Sequence, residues 1–235
     1  MATMTDQAGR FRFDPYAPEN DADPFPAYAR LREEFPAFWC EEAGMWVLSR
    51  YDDILTALQD WRTFSSSKGN LVDELPGRAG ATLGSTDPPR HDRLRALIQK
   101  AMLKNALTHL LDPLRQSARA RLAGLRQQDS FDYVGDYSSQ LTLDLIFTLF
   151  ALPDEGRDEV RDKAVLMTQT DPKLRTKNEE QLAAYRWMAD YAARLVAERK
   201  RDPGEDLLSN FITAEIDGEK LQDNEVQLTV TDADT

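Results

Sequence analysis

Residues 87–95 read Asp-Pro-Pro-Arg-His-Asp-Arg-Leu-Arg, and this stretch predicts the start of a helix. Proline suits the first helical position, because the N–H that it lacks has no intrahelical partner there. His91 and Arg95 are four residues apart, so a helix places both side chains on one face. The segment 90–104 is strongly basic, with five cations against the single anion Asp92: Arg90, Arg93, Arg95, Lys100 and Lys104.

Two interpretations of this basic helix stay open on the residues alone. In the first, a solvated helix carries cations that cluster by chance. In the second, one face binds carboxylates and the other meets an acidic partner. The planar fork of arginine matches a carboxylate in geometry and charge, which favours the second interpretation. The remainder of the chain also favours it, because the whole sequence has a net charge of −12.

The composition limits both the class of protein and its partners. The chain has 235 residues, of which 41% are hydrophobic, so it has enough apolar surface for a sizeable core. Its net negative charge argues against nucleic acid and anionic membrane as partners, since both are negatively charged as well. Residues 1–13 hold no apolar signal segment, and the longest apolar run, 145–152, is too short to span a bilayer. A single cysteine, Cys40, rules out an internal disulfide, so we expect a cytoplasmic location.

The pattern of apolar residues predicts a mainly α fold with a small N-terminal β-sheet. Residues 1–20 read as a polar arm and residues 21–230 as one domain. The β-rich runs 37–40 and 45–48 flank a four-residue turn and predict a hairpin. Residues 64–84 lack a clear period and are rich in Ser, Gly and Pro, which is typical of a functional loop. Helices are predicted over 26–35 and after Asp52, then near 89–103, 107–127, 136–151, 155–169, 177–201 and 205–214.

Several common catalytic motifs are absent from the sequence. It has no Gly-x4-Gly-Lys phosphate loop, no Gly-x-Ser-x-Gly elbow and no His-Glu-x-x-His zinc motif. Asp52-Asp53 lacks the third carboxylate of a magnesium-binding Asp-Asp-x-x-Asp motif, so we interpret it as a helix cap. Glu198-Arg199-Lys200-Arg201 is interpreted as a solvated charge run on a surface-facing helix.

The segment 87–95 resembles the C-helix signature of bacterial cytochrome P450 enzymes, the haem-thiolate monooxygenases. Six further motifs resemble that family and occur in the family's order, so that the resemblance covers about residues 14–230. They are DPFPAYARLR at 23–32, WVLSRYDD at 46–53, FSS at 64–66, FDYV at 131–134, DPGEDLL at 202–208 and DGEKL at 217–221.

The resemblance implies a set of functional residues. His91 and Arg95 would hold the propionates of a haem cofactor. Residues Leu71, Leu83 and Met167 would face a small organic substrate, although ordinary packing explains each of them equally well. The substrate would be oxidised with dioxygen and two electrons. A redox-partner patch for an acidic, ferredoxin-type electron donor would consist of Arg90, Arg93, Lys100 and Lys104.

The resemblance covers only about the first half of a complete family member. Residues 231–235 read as a polar tail where the family's long central helix should begin, and the Cys loop that ligates iron is not found. Cys40 lacks the Gly-rich surroundings of that ligand and is interpreted as an apolar filler. We therefore expect an incomplete P450 fold with no metal ligand, inactive by itself. Two alternatives remain: a naturally shortened, non-catalytic helical protein that binds a small hydrophobic ligand or a protein partner, and a generic acidic helical scaffold.

Overall fold

The computed structural model describes residues 11–72, 74–102, 108–171, 174 and 176–233. The described part is mainly helical, with two short antiparallel β-ribbons, which confirms the predicted fold class. None of its helices is both long enough and apolar enough to span a membrane. In chain order the elements are α1 (Pro18–Ala22), α2 (Phe25–Glu34), β1 (Ala37–Cys40), β2 (Met45–Leu48), α3 (Tyr51–Gln59), α4 (Arg90–Ala101), α5 (Leu111–Leu125), α6 (Ser139–Leu149), α7 (Arg157–Thr168), α8 (Glu179–Arg201), α9 (Leu207–Thr213), β3 (Glu215–Ile216), β4 (Glu219–Lys220) and α10 (Asp223–Ala233).

The predicted hairpin forms from β1 and β2. Its strands pair antiparallel, and Gly44 closes the turn with a φ of +63°, a conformation that favours glycine. Phe38 and Val47 pack against a small N-terminal cluster, while Trp39 and Trp46 meet edge to face across the strands with 5.6 Å between ring centroids. This N-terminal cluster consists of Phe13, Ala27 and Leu31. The hairpin therefore has one packed face and one face of exposed tryptophans.

Helix α3 follows the hairpin and starts differently from the prediction. Its N-cap is Arg50, whereas Asp52 and Asp53 lie in the first helical turn and accept no capping hydrogen bond. Their carboxylates instead favour the helix through its dipole, whose positive end lies at the N-terminus.

The main core forms around α8. Asn178 caps this helix by accepting a hydrogen bond from the Gln181 backbone at 2.9 Å, and the Gln181 side-chain oxygen accepts one from the Asn178 backbone N–H at 2.8 Å. Helices α7, α9 and α10 all pack against α8. The helix buries a stripe at helical spacing, which includes Ala184, Met188, Ala192, Leu195 and Val196.

The charge run at 198–201 is exposed as predicted at Glu198, Lys200 and Arg201, and the structure corrects the prediction only at Arg199. Arg199 is largely buried and donates to the Asp206 carboxylate at 2.9 Å and to the Ala151 carbonyl at 2.8 Å. Asp206 is itself the N-cap of α9 and accepts from the Ser209 backbone. Arg199 thus connects α8 to the N-cap of α9 and to Ala151, which follows α6. The local sequence pattern did not reveal these contacts, because both acceptors lie in other segments of the chain.

The region after α9 also differs from the prediction. The break predicted at Asp217-Gly218 is the turn of a second ribbon, β3–β4. Helix α10 continues to Ala233 and so includes residues 231–233 of the predicted polar tail. Thr231 is buried and its hydroxyl donates to the Gln227 carbonyl at 3.0 Å. The polar character of this segment therefore does not mark the end of the helix. Residues 234 and 235, the Asp-Thr pair, lie outside the described part.

A carboxylate on α6 joins three helices. Asp144 accepts two hydrogen bonds from Arg121 of α5, both at 2.6 Å, and also binds Ser117 and Arg157. Burial alone would raise the pKa of the Asp144 carboxyl, but hydrogen bonds from Arg121 and Ser117 outweigh it, so its pKa lies below the ordinary value. The Arg157 guanidinium also lies over the Phe147 ring.

Replacing Asp144 tests this junction. Asp144→Asn should lower the free energy of unfolding by about 2 kcal/mol at neutral pH, because two partly buried guanidinium groups lose their counter-charge. The lowered pKa means that the Asp144 contribution is complete above the unfolded value of about 3.9 and is lost as the pH falls through the folded value. The free energy of unfolding of the variant, measured by urea denaturation, should therefore depend less on pH between about 5 and 3 than that of the unchanged protein.

Asp112→Asn, at an exposed pair with Arg115, is the control and should change stability by less than about 0.5 kcal/mol. Equal effects of the two substitutions would contradict this role.

Candidate functional site

Helix α4 separates its cations onto two flanks. The helix buries Leu94, Leu97 and Ala101 against the main core. At about 100° of rotation per residue, Arg93 and Lys100 lie on one flank of that stripe, and His91 and Arg95 lie on the other. The two flanks have different surroundings, which gives the cations different roles.

The first flank meets acidic groups of the same chain. Glu225, in the first turn of α10, accepts hydrogen bonds from Arg90 at 3.1 Å and from Arg93 at 2.9 Å. Its side chain is only 2% exposed, and its second oxygen accepts from the Gln222 backbone at 2.8 Å. Arg93 also pairs with Glu219 at 3.3 Å. We call Glu225, Arg90 and Arg93 the carboxylate clamp; it fixes α4 against α10 and the β3–β4 ribbon.

The clamp alters the interpretation of the predicted redox-partner patch. Arg90 and Arg93 bind Glu225, and Lys100 donates to the Glu215 carbonyl at 2.6 Å. Lys104 lies outside the described residues. Two of the four residues of the predicted patch, Arg90 and Arg93, therefore have their acidic partner, Glu225, within this chain. The local sequence could not reveal this, because Glu225 is 135 residues from Arg90 along the chain.

The second flank carries the two predicted haem-propionate residues. Arg95 is exposed and makes no hydrogen bond or ion pair with any residue that the structure describes. His91 is 29% exposed, and its Nδ1 lies 3.0 Å from the exposed carboxylate of Asp92. The structure therefore brings His91 and Arg95 together on one face, with the Arg95 guanidinium open to an anionic group.

His91 also lines an open cleft between α3 and the start of α4. This cleft has a volume of about 480 Å³ and apolar walls from Leu58, Trp61 and Phe64. Leu83, one of the predicted substrate residues, lines the same cleft rather than the second cavity described next.

A smaller cavity brings the other two predicted substrate residues together. Leu71 and Met167 both line a space of about 200 Å³, with Leu71 half exposed and Met167 fully buried. Sequence reasoning missed its polar lining residues, which are Arg78, Thr168, Lys177, Tyr185 and Thr231.

One wall of this cavity is held by Glu74 and Arg78. The Arg78 guanidinium donates to Glu74 at 3.2 Å and to Asn70 at 2.8 Å. Burial raises the pKa of Glu74, but hydrogen bonds from the backbone of Asn70 and from Arg78 outweigh it and lower the pKa overall. The carboxylate therefore stays charged and orders the loop that carries Leu71.

Cys40 has the surroundings of a structural residue. It is fully buried in β1, and its Sγ lies 3.2 Å from the Phe13 carbonyl. Burial raises the pKa of the thiol, so the thiolate that an iron ligand requires is disfavoured. Among the described residues no group of three or more His, Cys, Asp or Glu side chains could hold a metal ion.

Known proteins with similar sequences are cytochrome P450 proteins. The chain is 31% identical to cytochrome P450 123 of Mycobacterium tuberculosis over 217 residues, covering 91% of this chain and 54% of that protein. It is 29% identical to erythromycin C-12 hydroxylase of Saccharopolyspora erythraea over 201 residues, covering 83% of this chain and 49% of the hydroxylase. The chain matches the N-terminal half of cytochrome P450 proteins. It spans about half the length of the curated relatives that it matches.

Solved P450 structures share the fold as well. The structure superposes on the bacillaene polyketide synthase P450 PksS of Bacillus subtilis with a TM-score of 0.77 and 27% identity, covering 93% of this chain and 56% of PksS. No family model matches the chain. The P450 resemblance of the seven sequence motifs is thus confirmed by both sequence and structure comparisons.

The carboxylate clamp predicts a large difference between two similar substitutions. Glu225→Gln should lower the free energy of unfolding by about 3 kcal/mol, because two arginines lose a buried counter-charge. Glu219→Gln removes a carboxylate that is 62% exposed and also contacts Arg93, and it should change stability by no more than about 0.5 kcal/mol. Chemical denaturation of both variants measures the difference. Similar stability of the two variants would show that the clamp does not hold α4.

Proposed function

We propose that this chain forms the N-terminal half of a cytoplasmic P450 monooxygenase and supplies the side of the haem site that binds the propionates. The observation that carries the proposal is the second flank of α4, where Arg95 has no partner among the described residues and lies one turn from His91. Two adjacent donors, one of them an unpaired guanidinium, fit the anionic carboxylates of haem. This fit supports haem as the cofactor.

The chain's own residues hold and orient the cofactor in this proposal. Arg95 would donate two hydrogen bonds to one propionate, and His91 would donate one to a propionate. The clamp keeps Arg90 and Arg93 bound to Glu225, so that the position of α4 is set before any ligand arrives. The haem, when bound, supplies the chemistry that activates dioxygen. Cys40 takes no part as an iron ligand in this arrangement, because its thiol is buried against Phe13.

The substrate side of the proposal rests on the 200 Å³ cavity. Leu71, Leu75 and Met167 give it an apolar lining, and Thr168 and Thr231 add hydroxyl groups. Such a mixture of apolar walls and a few polar groups is typical of sites for small organic molecules. The similarity to an erythromycin C-12 hydroxylase and an epothilone C/D epoxidase supports oxidation of a small organic compound.

We also propose an acidic, ferredoxin-type electron donor for the complete enzyme. Lys100 and, by its sequence position, Lys104 support this partner, because complementary charge steers encounter. Lys100 is exposed and donates to a neutral carbonyl, so that contact does not cancel its charge. The clamp makes Arg93 the least available member of the predicted patch.

Substitution of Arg95 tests the haem assignment. In a complete P450 that contains this chain, Arg95→Ala should lower the haem content of the purified protein about tenfold at limiting haem, because a propionate loses a charge-assisted hydrogen bond. Arg95→Lys should restore part of it, since lysine offers a point charge rather than a fork. Arg119→Ala, at an exposed position of α5, is the matched control. Absorbance of haem per polypeptide gives the result, and equal haem content in Arg95→Ala and Arg119→Ala would exclude the proposed role.

A further inference from the structure

The 200 Å³ cavity has two threonine hydroxyl groups in its lining. Thr231, on α10, is buried with 2% of its surface exposed, whereas Thr168, the last residue of α7, is exposed. A hydroxyl group that is buried beside a cavity is informative, because buried polar groups normally complete their hydrogen bonds. The hydrogen bonds that these two hydroxyls already make therefore indicate what a ligand can add.

Each hydroxyl donates its one proton to the backbone of its own helix. Thr231 Oγ1 donates to the Gln227 carbonyl at 3.0 Å, and Thr168 Oγ1 donates to the Val165 carbonyl at 2.8 Å. A hydroxyl oxygen also has two lone pairs that accept hydrogen bonds. In the part of the chain that the structure describes, no group donates to Thr231 Oγ1. Thr231 thus has an acceptor to offer to a ligand, and its proton is already used.

The cationic side chains of the lining also direct donors into the protein. The Arg78 guanidinium donates to Asn70 at 2.8 Å and to Glu74 at 3.2 Å. Lys177 Nζ donates to two backbone carbonyls at the C-terminal end of α7, at 3.1 and 2.7 Å. A ligand that can only accept hydrogen bonds would compete with these internal contacts. A ligand that donates to Thr231 would leave all of them in place.

The donor on such a ligand should carry no charge. None of the described residues that line the cavity is an aspartate or a glutamate. An ammonium group would therefore lack a counter-charge there, and burying an unpaired charge is costly. A hydroxyl group donates without being charged. The buried side chains of Leu75 and Met167 supply apolar walls for the rest of the molecule.

We propose that the cavity binds a small neutral alcohol, which donates its hydroxyl proton to Thr231 Oγ1. The inference rests on the proposed function, because it names the substrate class of the same pocket. The volume of about 200 Å³ lies below the usual range of roughly 300–1,000 Å³, which suits a short aliphatic or single-ring alcohol.

Calorimetric titration of the 235-residue chain with cyclooctanol and with cyclooctanone tests the proposal. The two probes share one carbon ring, and only the alcohol can donate a hydrogen bond. Cyclooctanol should bind about fivefold more tightly, because it makes a hydrogen bond to Thr231 that the ketone cannot make. Thr231→Val should abolish this preference, since valine keeps the shape of threonine without the hydroxyl. Thr231→Ser should retain it.

Thr229→Val is the matched control. Thr229 lies on the same helix, and its hydroxyl makes the same kind of hydrogen bond, to the Glu225 carbonyl at 2.7 Å, but it does not line the cavity. This variant should keep the preference for the alcohol. Circular dichroism at the titration temperature shows that each variant is folded. Thr231→Ala, which also lacks the hydroxyl, provides a second measurement of the same loss.

The outcomes separate this inference from the function on which it rests. Equal binding of the two probes to the unchanged chain, or a preference for the alcohol that survives Thr231→Val, would overturn alcohol recognition and leave the small-molecule pocket intact. Failure of both probes to bind the folded chain would overturn the pocket assignment as well. The Arg95 experiment reports separately on the haem assignment, since Arg95 does not line this cavity.

Discussion

The buried carboxylate of Glu225 is the constraint on which the arrangement of the functional helices depends. A carboxylate that is 2% exposed is stable only with counter-charges and hydrogen bonds, and α4 supplies two guanidinium groups to it. This requirement brings α4, the β3–β4 ribbon and the first turn of α10 together. It also uses Arg90 and Arg93 within the fold, which leaves Arg95 open on the opposite flank.

Carboxylate–guanidinium contacts of this kind recur between the helices. Arg199 ties α8 to the N-cap of α9 through Asp206, and Asp144 joins α5, α6 and α7. In each case the apolar core sets which helix faces meet, and the charged contact sets how they are aligned. The acidic chain thus uses part of its excess of carboxylates as internal structural groups.

Local patterns in the sequence predict much of this fold. The hairpin of β1 and β2, the start of α4 after the two prolines and the long helix α8 all follow from short-range periodicity and capping residues. The i, i+4 spacing also placed His91 and Arg95 on one face. Seven motifs in a fixed order indicate the resemblance to cytochrome P450 proteins.

Long-range partners are what the sequence could not reveal. The sequence around Arg199 does not indicate that its guanidinium binds Asp206 and the Ala151 carbonyl. The local pattern therefore predicted a solvated side chain. The same reason hid the clamp, whose acid lies at the far end of the chain from α4. The polar composition of 231–233 concealed a helix because the burial of Thr231 depends on packing that periodicity alone does not show.

The central claim is that this chain supplies the propionate side of a haem site while Cys40 is a structural residue. The most direct test is the absorption spectrum of the 235-residue chain after loading with haem, reduction and addition of carbon monoxide. Cys40 is the only cysteine in the sequence and its thiol is buried against the Phe13 carbonyl. We therefore expect no thiolate-type band. A stable thiolate-type band would show that Cys40 ligates iron and would contradict a structural role for Cys40.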